Sequence, residues 1–218
     1  DNWNNLIKIA KGEYQLLLHH DECPECETFL SQLKELIEKR NKPNIIFLRC
    51  TITTFMGRRL RYHMPYSIIT SLLKFTPECL FLHNLIGSPS NVVVRSDSSI
   101  DFDNNLKWIV DVEWMFRHLI QPDVNWTVAR SLSIMSIYNE ETSITSTLKP
   151  NIKQLSDSEN KYIQNKLGNL FIFNFTMPNK IPSLFLSYLE KILWIIFRIF
   201  IILLGVFFNR SKPSWLKN

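Results

Sequence analysis

Three strand-length apolar runs, at residues 14–18, 44–50 and 91–95, alternate with stretches whose apolar residues recur at helical spacing. That alternation predicts an α/β layer architecture, because a strand buried on both faces needs helices on each side. Phe29, Leu33, Leu36 and Ile37 mark one face of a helix running to about Arg40. Residues 66–75 and 110–119 read as further helices, and residues 126–138 as a β-rich alternation. Trp3, Leu6, Ile7, Ile9 and Ala10 suggest a short opening helix closed by Gly12. Pro24 suits the first turn of the next helix. Ser156-Asp-Ser-Glu159 has the form of a capping box and predicts the start of a last helix reaching about Phe171. Residues 174–182, with two prolines, read as a linker.

A length of 218 residues suits one domain with an appendage, and 45% hydrophobic against 21% charged residues supports a packed core. The net charge of +5 lies in the tail. Lys180, Lys191, Arg198, Arg210, Lys212 and Lys217 face Glu190 there, and the rest of the chain is neutral. A basic nucleic-acid-binding body is therefore excluded as an expectation. Arg58, Arg59 and Arg61 form a short basic cluster, read as a solvated loop or a phosphate contact.

Residues 192–208 carry one charge, Arg198, and are apolar on every helical face. As a helix they span roughly 26 Å, and extension back to Leu184 reaches the thickness of a hydrocarbon core of about 30 Å. Arg198 costs about 2.5–3.5 kcal/mol at mid-membrane, which the surrounding Ile, Leu, Phe and Trp offset. Three readings stay open: a transmembrane or re-entrant anchor, a helix lying in the membrane interface, or a buried packing helix. The basic residues after it favour a cytoplasmic C-terminus or contact with anionic lipid. The expectation is a body held at the cytoplasmic face of a membrane.

Cys23-Pro-Glu-Cys26 is the one C-x-x-C pair. A zinc site needs about four ligands, and no second pair completes it; no thioredoxin-like context surrounds it either. Reduced thiols are expected, with Cys26 on the buried face of the following helix.

Three clusters carry possible chemistry. His19-His20-Asp21-Glu22 follows a strand, and ligands in α/β sheets sit at the carboxyl ends of strands. Adjacent carboxylates there call for a cation or hydrogen-bond donors, or form a solvated turn. Asp111-Val-Glu113-Trp-Met-Phe-Arg117 opens a helix. Its acids either complement the helix dipole or supply a general base, and Arg117 stands four residues from Glu113, at ion-pair spacing. Gly87-Ser88-Pro89-Ser90 makes a tight turn directly before a strand, with two hydroxyls that could hold a substrate.

These residues resemble a known family. Asn2-Trp-Asn4, Ala10-Lys-Gly-Glu-Tyr14 and Leu18-His-His-Asp-Glu22 look like the middle of a family 2 glycosyltransferase of GT-A fold. Asn84-Leu-Ile-Gly-Ser-Pro-Ser90, Phe102-Asp-Asn-Asn-Leu-Lys-Trp108 and Val110-Asp-Val-Glu-Trp-Met-Phe-Arg117 resemble its later acceptor-side and catalytic-base motifs, in the same order. The resemblance implies a partial, Rossmann-like GT-A domain over residues 1–150, a helix and linker over 151–182, and a membrane-associated hydrophobic helix with a basic tail over 183–218. It implies inverting transfer of a sugar from a nucleotide-diphosphate sugar to a hydroxyl acceptor, possibly lipid-linked, in cell-envelope polysaccharide or glycolipid synthesis. Asp111 then matches the catalytic base. Asp21 and Glu22 match the pair that meets the diphosphate and a Mg²⁺ or Mn²⁺ ion, with Glu22 standing where the family has a second Asp. His20, Ser88, Ser90, Glu113 and Arg117 are the implied substrate-binding residues. The family's first strand and nucleotide-base pocket have no match, so the chain reads as a piece of a longer enzyme. The alternative expectation is a catalytically incomplete, membrane-anchored interaction module.

Overall fold

The computed structural model describes residues 2–53, 66–75, 77–82, 84–137 and 151–167. They form a mixed α/β fold around a five-stranded sheet. The strands are β1 (Tyr14–Leu16), β2 (Glu22–Pro24), β3 (Ile45–Thr53), β4 (Val92–Arg95) and β5 (Trp126–Ile137), in the order β1-β4-β3-β5-β2. β3 and β5 are parallel and every other pairing is antiparallel.

Central strand β3 explains its own apolar run. Ile45 and Phe47 point into one hydrophobic cluster, whereas Ile46 and Leu48 point into another. Alternate side chains of a strand leave opposite faces, so burial on both faces removes the polar alternation. Val92 and Val94 of β4 join the first cluster, and Val93 joins the second. Helix α2 (Phe29–Lys39) covers the second face with Phe29 and Leu33. Helices α3 (Tyr66–Phe75) and α5 (Val110–Leu119) cover the first with Ile69, Leu73, Val112 and Met115. Helix α1 (Asn2–Ile9) adds Trp3 and Ile7 to that side, and α4 (Cys79–Leu82) adds Leu80. Helix α6 (Ile152–Leu167) packs Ile163 against Leu106 and Ile109.

Several local expectations are corrected. Pro24 does not open a helix: it lies in β2, paired with Ile134, on an edge strand where a missing N–H is tolerated. The helix begins five residues later, at Phe29, so Cys26 precedes it and is exposed. Cys23 and Cys26 are both free. β1 is three residues long and half-buried at the other sheet edge. The last helix starts at Ile152, which leaves Ser156 and Glu159 inside it rather than at its cap. The apolar tail at 183–218, the Arg58, Arg59 and Arg61 cluster and the linker at 174–182 lie outside the described residues. Among the described residues, no helix is long and apolar enough to cross a membrane.

The strand registers bring the C-terminal ends of β1, β3 and β5 to the same end of the sheet as the N-terminal ends of β2 and β4. Residues 17–22 leave β1 there, and the loop before β4 arrives there.

Candidate active site

The loop from Asn84 to Asn91 is built around one side chain. Asn84 Oδ1 accepts from the Ile86 and Gly87 amides at 3.1 and 2.7 Å. Its Nδ2 donates to the Gly87 carbonyl at 2.7 Å and to Asp111 Oδ2 at 2.9 Å. Gly87 has φ +111°, a left-handed backbone that favours glycine. A Cβ added there would sit 2.8 Å from the end of the Asn91 side-chain amide and 3.2 Å from Cys50 Cβ. Pro89 then opens a 3₁₀ turn, Pro89–Asn91, as a residue with no N–H to satisfy can. Ser90 and Asn91 are fully buried. The Asn91 amide, oriented to satisfy both ends, donates to the Arg49 carbonyl at 3.0 Å and accepts from the Ser88 amide at 3.2 Å.

This loop holds Glu22 at its far end. Ser88 Oγ donates to Glu22 Oε1 at 2.7 Å, and Ser90 Oγ donates to Glu22 Oε2. The His19 amide and ring Nδ1 each lie 3.3 Å from Oε2. The Glu22 side chain is only 4% exposed, so these donors replace the water that its carboxylate gives up. His19 is stacked on Trp3, with ring centroids 5.4 Å apart, and Trp3 also packs against Phe102. Asn4 pins Phe102, donating to its carbonyl at 2.9 Å and accepting from its amide at 2.7 Å. The Asn2-Trp-Asn4 stretch thus supports the acidic turn from α1. Asp21 and His20 are exposed in that turn.

Asp111 stands at the near end of the same loop, in the first turn of α5. Its Oδ1 accepts from the Val112 amide at 2.8 Å. Burial pushes its carboxyl up to about 6, against the Val112 amide and Asn84, which pull the other way. The two acidic positions are therefore joined through one hydrogen-bonded segment: Glu22 to Ser88 and Ser90, Asn84 to Asp111.

Glu113 and Arg117 are engaged with the fold. Glu113 is fully buried; Arg117 Nε and Nη2 approach its two oxygens at 2.5 and 2.8 Å. Lys166 of α6 adds a bond to Glu113 Oε1 at 2.9 Å and reaches Asp103 as well. Burial alone would raise the Asp103 carboxyl, but Lys166, the Asn105 amide and Tyr162 outweigh it and hold it well below the usual carboxylate range.

His19, Trp3 and Asn84 lie in motifs that the sequence singles out, but the sequence assigns none of them a role in the site. His19 carries the contact to Glu22, whereas the sequence candidate is the exposed His20. The i to i+3 spacing of His19 and Glu22 across a turn was the available signal. Asn84 opens the Asn84–Ser90 motif, but its bridge to Asp111 spans 27 positions and has no local signal.

A divalent ion fits this end of the sheet in a limited way. Both Glu22 oxygens are committed to hydroxyl and amide donors. Among the described residues, no three His, Cys, Asp or Glu side chains group as ligands. The neighbouring Asp21, exposed in the same turn, offers an open carboxylate. Mg²⁺ is commonly held by one or two carboxylates together with substrate phosphates, and one carboxylate meets that minimum.

No protein-family model matches the chain, and no curated protein matches it. Among solved structures, the crystal structure of S. aureus TarS 1-349 is similar at a TM-score of 0.43 and 14% identity. The match covers 62% of this chain and 38% of that one, so the chain spans less than two-fifths of that structure's length.

Proposed function

We propose that the chain carries the diphosphate and acceptor sides of a glycosyltransferase site of GT-A type. The reaction is inverting transfer of a sugar from a nucleotide-diphosphate donor to a hydroxyl acceptor. One observation supports this reading above the others: Glu22 and Asp111 are bound to opposite ends of the 84–91 loop, with Asp111 raised to about 6. A carboxylate with that value is mostly deprotonated at pH 7 and still basic enough to draw a proton from an attacking hydroxyl.

In this mechanism Asp111 Oδ1 or Oδ2 takes the acceptor proton as the hydroxyl oxygen attacks the anomeric carbon. Asn84 keeps the carboxylate turned toward the loop. Glu22 organises Ser88 and Ser90, and its buried charge fixes the turn that presents Asp21. Asp21 would hold a divalent ion, which would supply counter-charge for the departing diphosphate. The apolar tail would hold the site beside a lipid-linked acceptor; its sequence alone supports that part.

The test is donor turnover. The protein is incubated with UDP-, GDP- and dTDP-sugars, with Mg²⁺, with Mn²⁺ or with EDTA, and release of nucleoside diphosphate is measured. Metal-dependent release from at least one donor is expected, falling tenfold or more in Asp21→Ala. No release from any donor, or release indifferent to metal and to Asp21, contradicts the proposal.

A further inference from the structure

We propose that α6 is a positioning element of this site, and that Glu159 sets the first turn of α5 and with it the Asp111 carboxylate. The inference rests on the role given to Asp111 above. Helix α5 has no side-chain cap of its own, since Ile109 occupies the N-cap position. The stretch leading into it is held instead from another helix, by Glu159, which is 4% exposed. Its Oε1 accepts from the Lys107 amide at 2.7 Å, and its Oε2 accepts from the Trp108 and Ile109 amides at 3.0 Å each.

A second hold lies one turn on, where Lys166 bonds Glu113 Oε1 at 2.9 Å. Between the two, Ile163 is fully buried against Leu106 and Ile109. Residues 159, 163 and 166 fall on one face of a helix, so a single face of α6 makes all three contacts. Asp111 lies between the points held by Glu159 and Lys166. Its carboxylate is set by the α5 backbone through Val112 N and by the loop through Asn84. A shift of the first turn of α5 would therefore be felt at the Asn84–Asp111 bond.

That bond gives the readout. The Asn84 side-chain amide protons are followed by NMR in the full chain, with Asp111→Ala as the reference lacking the bond. Glu159→Ala is expected to move the Asn84 signal at least halfway to that reference. Glu159→Gln keeps one acceptor oxygen and is expected to fold and to move it by at least a fifth of the way. A contact with a stability role alone would lower the melting temperature and leave the signal in place. Unmoved Asn84 signals in both variants overturn the proposal, as they do in Glu159→Gln alone should Glu159→Ala fail to fold. The readout uses no donor or acceptor, so it stands or falls separately from sugar transfer.

Discussion

Replacing Asp111 with Asn is expected to lower kcat for sugar transfer by about 10²–10⁴-fold, the usual worth of a positioned general base. The substitution is nearly isosteric. The amide oxygen it introduces can still accept from Asn84 Nδ2 while the bond from the Val112 amide is given up, so the 84–91 loop should keep its shape and the donor KM should change little. The same variant should gain stability near neutral pH. A carboxyl raised to about 6 in the folded protein, against an ordinary value near 3.8, holds its proton longer folded than unfolded. Folded-state stability is then present in full below about pH 4, lost as pH rises through about 6, and flat above that. Removing the ionisable group removes that loss, so Asp111→Asn should melt a few degrees higher than the native protein at pH 7.5. Lower activity with higher stability separates loss of a base from damage to the fold. Native-like transfer by a folded Asp111→Asn protein contradicts the assignment.

The second large effect is on stability. Glu113→Ala is expected to cost about 3 kcal/mol, the low end for breaking a buried ion pair. Glu113 itself is fully buried, and its removal takes the carboxylate partner from Arg117, which keeps the Asp101 carbonyl, and one of two carboxylates from Lys166, which keeps Asp103. Those partners are 21% and 32% exposed, so both can regain some water, which keeps the cost at the low end. The expected fall in melting temperature is roughly 6–12 °C at about 2–4 °C per kcal/mol. Thermal unfolding followed by circular dichroism measures it. A fall under about 2 °C, less than 1 kcal/mol on that scale, would mean that Arg117 and Lys166 find equivalent partners without Glu113.

The parts of the fold legible in the sequence are those whose signal is local. The α5 helix follows from its acidic first turn and apolar spacing, and it spans 110–119 as expected. Strand β3 is readable as a continuous apolar run because both of its faces are covered. Strand β2 is not. Its residues Glu22, Cys23 and Pro24 have no β-propensity, and what makes them a strand is pairing with Ser136, Met135 and Ile134 more than a hundred positions away. Glu159 shows the same limit from the other side. Its three-residue offset from Ser156 imitates a capping box, yet its carboxylate binds the amides of Lys107, Trp108 and Ile109 just before α5, some fifty residues earlier in the chain. The acids of the site are visible by type and order. What joins them is Asn84, the first residue of the Asn84–Ser90 motif, whose bond to Asp111 no local pattern announces.

The most direct test of the central claim is the pH dependence of kcat/KM for transfer between about pH 5 and 8. With Asp111 as the base, the rate should fall below about pH 6 with a slope of one proton, and the residual activity of Asp111→Asn should lack that limb. A rate that stays flat through this range in the native protein, or an identical acid limb in Asp111→Asn, would contradict it.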